Sequence, residues 1–120
     1  MKKVSLVLFV ALILSGLVGK AQSPAGNTKG ENSAVGCVVI TYTKACTNGG
    51  YRLIIKNMCG FSVDVNSSLA RENGKYDCYL SSNLAPGSTT DGAYTCGMGH
   101  YIVQVRQSGS NYKFEKYNCK

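Results

Sequence analysis

Apolar and polar residues alternate in short runs from residue 36 onward. Phe61, Val63 and Val65 are separated by single polar residues, which is the period of a strand with one buried face. No segment of useful length repeats apolar residues at the three- and four-residue spacing of an amphipathic helix. The pattern predicts a single all-β domain over residues 36–120.

Turn signals divide this domain into short strands. Asn48-Gly49 and Asn73-Gly74 predict hairpin turns, because both residue types tolerate the positive φ of a type I′ turn, and Pro86-Gly87 predicts another turn. The predicted strands cover 37–43, 51–57, 61–72, 75–80, 89–96, 100–107 and 111–118. Seven to eight short strands separated by regular turns favour a small antiparallel β-sandwich, stapled by disulfides.

Alternation also assigns faces within the strands. Cys78 is predicted to face the core. In the strand over 100–107, the residues predicted to point inward are Tyr101, Val103 and Val105. Those predicted to point outward are His100, Ile102, Gln104 and Arg106.

The first residues have the layout of a secretory signal peptide. Lys2 and Lys3 precede an apolar run, and small residues at Gly19 and Ala21 predict cleavage after Ala21. A membrane anchor is the alternative, but a spanning helix needs roughly 20 apolar residues and this run is shorter. We therefore expect a signal peptide over 1–21, a secreted or periplasmic product and no membrane insertion after cleavage.

Residues 22–35 are rich in Gly, Asn, Ser and Ala and have no apolar periodicity. Such a composition buries too little apolar surface to become ordered by itself. The sequence predicts a flexible N-terminal segment here.

The chain contains six cysteines, and all of them follow the predicted signal peptide: Cys37, Cys46, Cys59, Cys78, Cys96 and Cys119. An even count in an exported domain of this size favours three disulfides. Zinc is the competing use, but thiolate sites usually contain close C-x2-C pairs, and no two of these cysteines are that near. We expect no metal and no cofactor.

One pairing follows from the first predicted hairpin. With Asn48-Gly49 as its turn, Cys46 faces Tyr51 and Val38 faces Cys59, so Cys37 lies within one residue of Cys59. We therefore predict a Cys37–Cys59 disulfide. The other pairings stay open.

The net charge argues against a nucleic-acid partner. The chain carries 13 basic and 6 acidic residues. Removing Lys2, Lys3 and Lys20 with the signal leaves ten basic residues and a net charge of +4. This is short of the concentrated basic patch of a nucleic-acid binder, so we expect no nucleic acid partner.

A set of short motifs resembles a known type of protein. The motifs are Ile55-Lys56-Asn57-Met58-Cys59, Val63-Asp64-Val65, Tyr76-Asp77-Cys78, Leu84-Ala85-Pro86-Gly87, Cys96 and Gly99-His100-Tyr101. Together they resemble small exported bacterial Cys-containing β domains of uncharacterised function, over about half of the mature chain. The resemblance implies the fold and the compartment and transfers no functional residue.

Candidate catalytic groups are few. His100 is the only histidine, and a catalytic site needs several groups that converge. A small secreted hydrolase using His100 with a carboxylate and a hydroxyl is therefore the third hypothesis, and we predict no catalytic residue.

Eight tyrosines and no tryptophan point to recognition, because tyrosine supplies rigid contact area with a polar tip. Alternatively, these rings cover a half-exposed sheet, because tyrosine is a favourable strand residue. The leading hypothesis is a non-enzymatic binding protein for a protein partner, with Tyr94, Met98, His100 and Arg106 as candidate binding residues. A carbohydrate or cell-wall binding module is the alternative, which a coplanar strip of outward tyrosines would favour.

Overall fold

The computed structural model describes residues 25–47, 49–71, 74–96 and 100–119. The predicted signal peptide over 1–21 lies outside the described residues. The described strands are β1 (Gly26–Gly30), β2 (Val38–Cys46), β3 (Gly49–Asn57), β4 (Val63–Ala70), β5 (Tyr76–Leu84), β6 (Thr89–Thr95) and β7 (Tyr101–Gln107). One short helix, α1 (Asn32–Val35), lies between β1 and β2.

The strands form two packed sheets. The four-stranded sheet has the order β1-β7-β4-β5, and the three-stranded sheet has the order β2-β3-β6. This confirms the predicted small disulfide-stapled β-sandwich. Strand β1 runs parallel to β7 and lies in a segment where the sequence pattern predicted no strand.

The core lies between the inward faces of β3, β4 and β7. Their fully buried apolar residues are Leu53, Ile55, Val63, Val65, Leu69, Val103 and Val105, each 0% exposed. The predicted inward positions of Val103 and Val105 are thus confirmed, and Tyr101 packs against the same core while partly buried.

The β2–β3 hairpin is offset by two residues from its predicted register. Cys46 pairs with Gly49 and Val38 pairs with Asn57. A shift of two residues leaves every side chain on its predicted face, so Cys37 still reaches Cys59. The predicted Cys37–Cys59 disulfide is confirmed, with its Cα atoms 4.9 Å apart.

All six cysteines form disulfides. The second bridge joins Cys46 to Cys96, and the third joins Cys78 to Cys119. Three cross-links in a domain of this size suggest an oxidising environment, extracellular or periplasmic.

Residues 25–35 take part in the fold, in contrast to the flexible segment predicted over 22–35. Strand β1 pairs along β7 through its backbone, and Ala34 of α1 is 0% exposed within the core. A Cβ atom at Gly30 would collide with the Val105 carbonyl. The glycines that made this segment look disordered therefore permit the close approach of the two strands.

The segment predicted as a last strand over 111–118 forms no strand. It crosses the outer face of the four-stranded sheet, where Gln104 Nε2 donates to the Glu115 carbonyl at 3.0 Å and the Glu115 N–H donates to Gln104 Oε1 at 2.7 Å. Gln104 is consequently 0% exposed, so its predicted outward position does not make it a surface residue.

Cys78 also differs from its prediction. It pairs with Ser68, whereas the core residue Leu69 pairs with Asp77, so Cys78 lies on the outer face of the four-stranded sheet rather than in the core. The Cys78–Cys119 bridge ties the end of the C-terminal segment to that face.

Candidate functional site

Strands β5 and β6 are consecutive in the chain but lie in different sheets. Residues 85–88 join them through a turn in which the Ser88 N–H donates to the Ala85 carbonyl at 3.0 Å. Among the described strands, β5 pairs only with β4, and β6 pairs only with β3. Each strand therefore presents one edge that has no strand beside it, and the two edges border one open side of the sandwich. We call the space between them the β5–β6 groove.

Two cavities make up the β5–β6 groove. One has a volume of about 510 Å³ and is lined by 77–79 from β5, 92–94 from β6 and Cys119. The other has a volume of about 420 Å³ and is lined by 79–85, Ser88 and Thr90. Tyr79 lines both cavities and therefore lies where they meet.

A single buried hydroxyl joins the two walls of the groove. The Ala93 N–H of β6 donates to Ser67 Oγ of β4 at 2.8 Å, and the same hydroxyl donates to the Tyr79 carbonyl of β5 at 3.3 Å. Ser67 is 0% exposed. One side chain thereby holds the two strands in place where no backbone ladder joins them.

A bulge in β6 brings Ala93 to this hydroxyl. The register between β3 and β6 shifts between Arg52 and Ile54, which places two residues, Gly92 and Ala93, opposite one residue of β3. A Cβ atom at Gly92 would lie 2.8 Å from both Ser67 Oγ and Ile55 Cδ1. Glycine at position 92 therefore lets β6 approach the four-stranded sheet closely.

The rim of the groove exposes large apolar side chains. Tyr79 is 53%, Leu80 is 52% and Tyr94 is 47% exposed. The Arg52 guanidinium lies 4.7 Å from the centroid of the Tyr94 ring, a distance suited to a cation–π contact. Tyr94 shares the outer face of its sheet with Arg52 and borders the groove, whereas Tyr79 lies on the wall formed by β5. Both rings offer rigid contact area with polar tips.

Polar groups line the interior of the groove. Asp77 forms a half-buried ion pair with Arg71 at 3.3 Å. Ser81 Oγ is buried and, among the described residues, has no hydrogen-bond partner. Buried hydroxyls are normally paired, so Ser81 is an exception among the described residues.

The candidate binding residues predicted from the sequence do not form one site. Tyr94 lies at the groove. His100 immediately precedes β7 and packs against the Tyr76 ring at 6.1 Å between centroids. Arg106 lies on the outer face of the four-stranded sheet, and Met98 lies outside the described residues.

Arg106 is held by structural contacts. Its Nε donates to Asp64 Oδ2 at 2.9 Å, one of its terminal nitrogens donates to the Tyr112 carbonyl at 2.8 Å, and its guanidinium lies 4.4 Å from the Phe114 ring centroid. These contacts fix the C-terminal segment against the sheet.

Asp64 is the buried carboxylate at this junction. Burial by itself raises the pKa of its carboxyl, but hydrogen bonds from the Asn83 N–H, the Ser108 hydroxyl and the Arg106 guanidinium outweigh burial and lower the pKa below its usual value. Asp64 therefore stays ionised and joins three segments of the chain.

Sequence reasoning did not single out Ser67, Tyr79 or Gly92. Gly92 lies inside the strand predicted over 89–96. A glycine within a strand indicates a bulge or a close backbone approach, so this residue could have been identified from the sequence. The groove itself depends on the change of sheet between β5 and β6, which no local pattern of residues encodes.

The described ranges hold neither a metal-binding cluster nor a membrane-spanning helix. There, no three His, Cys, Asp or Glu side chains lie close enough to hold a metal ion. Over those same ranges no helix has the length and apolar character needed to cross a membrane.

Comparison of the chain with protein-family models, with curated proteins and with solved structures finds no match to any of the three.

Proposed function

We propose that the chain is an exported, non-enzymatic binding protein that holds a protein partner in the β5–β6 groove. The observation that carries this proposal is the pair of strand edges bordering the groove, with Tyr79, Leu80 and Tyr94 exposed at its rim. A packed core and three disulfides hold the two sheets together, so the groove is presented on a rigid frame.

A polypeptide suits this groove better than a sugar. Strand edges offer backbone N–H and C=O groups in a regular row, and another backbone is their natural complement. The exposed tyrosines Tyr42, Tyr79 and Tyr94 belong to β2, β5 and β6, with Tyr42 and Tyr94 on opposite faces of one sheet. These three rings therefore do not make the flat strip that would favour a carbohydrate or cell-wall module.

The surroundings of His100 support a non-enzymatic role. Its ring packs edge-on against Tyr76, and no hydrogen bond or ion pair within the described residues joins it to a carboxylate. A hydrolase would need such a partner to orient the imidazole and a hydroxyl beside it.

Two observations support the proposed location. The three disulfides favour an oxidising compartment, and the N-terminal pattern predicts a cleaved signal peptide. The proposed place of action is accordingly the periplasm or the extracellular space.

The test is capture of a partner that depends on the groove. Residues 22–120, produced in an oxidising compartment and immobilised, are incubated with bacterial envelope and secreted extracts, with insoluble glycan as a parallel sample. The double variant Tyr79→Ala/Tyr94→Ala is expected to retain less than a tenth of the partner. Met58→Ala is the control, because Met58 is 57% exposed and does not line the groove.

Equal capture by the double variant and the wild-type chain would contradict the proposal. Retention on glycan alone, with no protein captured, would favour the carbohydrate-binding alternative instead.

A further inference from the structure

We infer that the β5–β6 groove binds an extended segment of its partner as an added β-strand, which pairs with the free edge of β5 at Cys78 and Leu80. This inference rests on the proposed function and specifies the conformation of the partner. The occupant is a polypeptide strand, recognised mainly through its backbone.

The chain's own C-terminal segment already pairs with this edge. The Tyr76 N–H donates to the Asn118 carbonyl at 2.9 Å, and Tyr76 forms a parallel bridge with Cys119. The start of β5 therefore accepts a neighbouring backbone in the place where a further strand would lie. Cys119 also lines the first cavity of the groove. A partner strand would lie beside the same edge of β5, at the residues that follow Tyr76.

The direction of the backbone groups in β5 identifies the free positions. The Lys75 carbonyl accepts from the Arg71 N–H at 2.7 Å, on the side of β4, and the Tyr76 N–H points to the opposite edge. Backbone groups of successive residues in a strand point to alternate edges. Those of Cys78 and Leu80 therefore point into the groove, before the irregularity that follows Ser81 in the pairing of β4 with β5.

The two cavities indicate what the partner's side chains are. Every second side chain of an added strand points to the same face. The cavity between Tyr79 and Tyr94 suits an aromatic or aliphatic side chain. The second cavity, whose lining includes Ser88 and Thr90, suits a serine or threonine.

The opposite side of the sandwich, at β1 and β2, is crossed by α1. There Ala34 fills the gap between the sheets at 0% exposure against Val38 and Cys59. The disulfide between Cys37 and Cys59 closes the same side. An added strand is therefore expected beside β5 rather than at the side that holds α1.

The test begins with selection of binders to residues 22–120 from a random twelve-residue peptide library. We expect enriched peptides with an apolar residue and a Ser or Thr an even number of positions apart, so that both side chains point to the same face. The peptides are then resynthesised in two versions, N-methylated at all odd or at all even residues. One version should lose at least tenfold in affinity and the other should keep it, because only every second N–H of an added strand faces β5.

Variants of the protein provide the second arm. Leu80→Pro removes the backbone N–H that points into the groove and leaves the pairing with β4 intact, since proline is tolerated at a free strand edge. It should weaken peptide binding at least tenfold, whereas Leu80→Ala, which keeps the N–H, should change it less than threefold. Near-ultraviolet circular dichroism checks that both variants are folded.

Equal affinity of the two N-methylated versions, or failure to enrich any peptide, would overturn the inference. Capture of a partner that depends on Tyr79 and Tyr94 but is unaffected by Leu80→Pro, with that variant folded, would also overturn it and would leave the proposed function standing.

Discussion

The Ala93 N–H in one sheet donates a 2.8 Å hydrogen bond to Ser67 Oγ in the other. This bond fixes β6 over β4 at the open side of the sandwich, where no backbone ladder connects the sheets. The position and the width of the β5–β6 groove depend on it, because the same hydroxyl also binds the Tyr79 carbonyl.

Replacement of Ser67 by alanine should destabilise the domain and widen the groove. The Ala93 N–H is then buried without a partner, which costs about 1–3 kcal/mol of unfolding free energy. Urea denaturation with the disulfides intact measures this cost. Ser68→Ala is the matched control, because Ser68 is equally buried but its hydroxyl donates only to Cys78 Sγ at 3.4 Å; an equal loss in both variants would contradict the role given to Ser67.

Gly92→Ala should destabilise the same junction by a different cause. The new methyl group would lie 2.8 Å from Ser67 Oγ and from Ile55 Cδ1, and such overpacking costs about 1–3 kcal/mol. In Gly60→Ala the added methyl meets no atom within 4 Å, so its effect should stay within about 0.5 kcal/mol. Thermal unfolding of both variants makes the comparison, and an unaffected Gly92→Ala protein would show that the sheets are not closely packed there.

The Asp64–Arg106 ion pair predicts a specific loss of stability in acid. The pKa of the Asp64 carboxyl is lowered in the folded state, so its stabilisation is complete above the unfolded pKa of about 3.9 and is lost as the pH falls through the lower, folded pKa. Asp64→Asn should cost about 3 kcal/mol at neutral pH, and its deficit relative to the wild type should shrink below about pH 4.

The matched control for this prediction is Asp91→Asn. Asp91 pairs with Arg52 at 3.7 Å, and its side chain is 64% exposed, so its removal should change stability by less than about 1 kcal/mol. Urea denaturation at neutral and acid pH measures both variants. A deficit of Asp64→Asn that is the same at both pH values would refute the linkage.

Removal of the third disulfide should release the C-terminal segment from β5. The bridge closes a loop with a sequence separation of 41, so Cys78→Ala/Cys119→Ala should lower the unfolding free energy by about 4 kcal/mol. The Tyr76 amide, which donates to the Asn118 carbonyl, should exchange its hydrogen faster with deuterium. Unchanged exchange at Tyr76 would mean that the segment stays bound to β5 without the bridge.

Local patterns were sufficient to predict most strands and one disulfide. Alternation of Val63, Val65, Val103 and Val105 placed them in the core, and Asn48-Gly49 predicted the hairpin that brings Cys37 to Cys59. The offset of that hairpin by two residues did not affect the disulfide prediction, since a shift by an even number of residues keeps each side chain on the same face.

Long-range packing explains what local patterns missed. Gly30 and Ala34 belong to a segment with little apolar surface, yet a close backbone approach to Val105 and burial in the core order it. Gln104 looked exposed by alternation, but the segment containing Glu115 folds back over it. The groove has the same origin, because residues 85–88 carry the chain from one sheet to the other and local sequence does not specify this crossing.

Amide hydrogen–deuterium exchange of residues 22–120, alone and with the captured partner bound, shows which strands the partner covers. We expect slower exchange in β5 at Cys78 and Leu80 and in β6 around Ala93, with little change in β2. Protection confined to β2, or to the C-terminal segment that covers Gln104, with unchanged exchange in β5 and β6, would contradict this expectation.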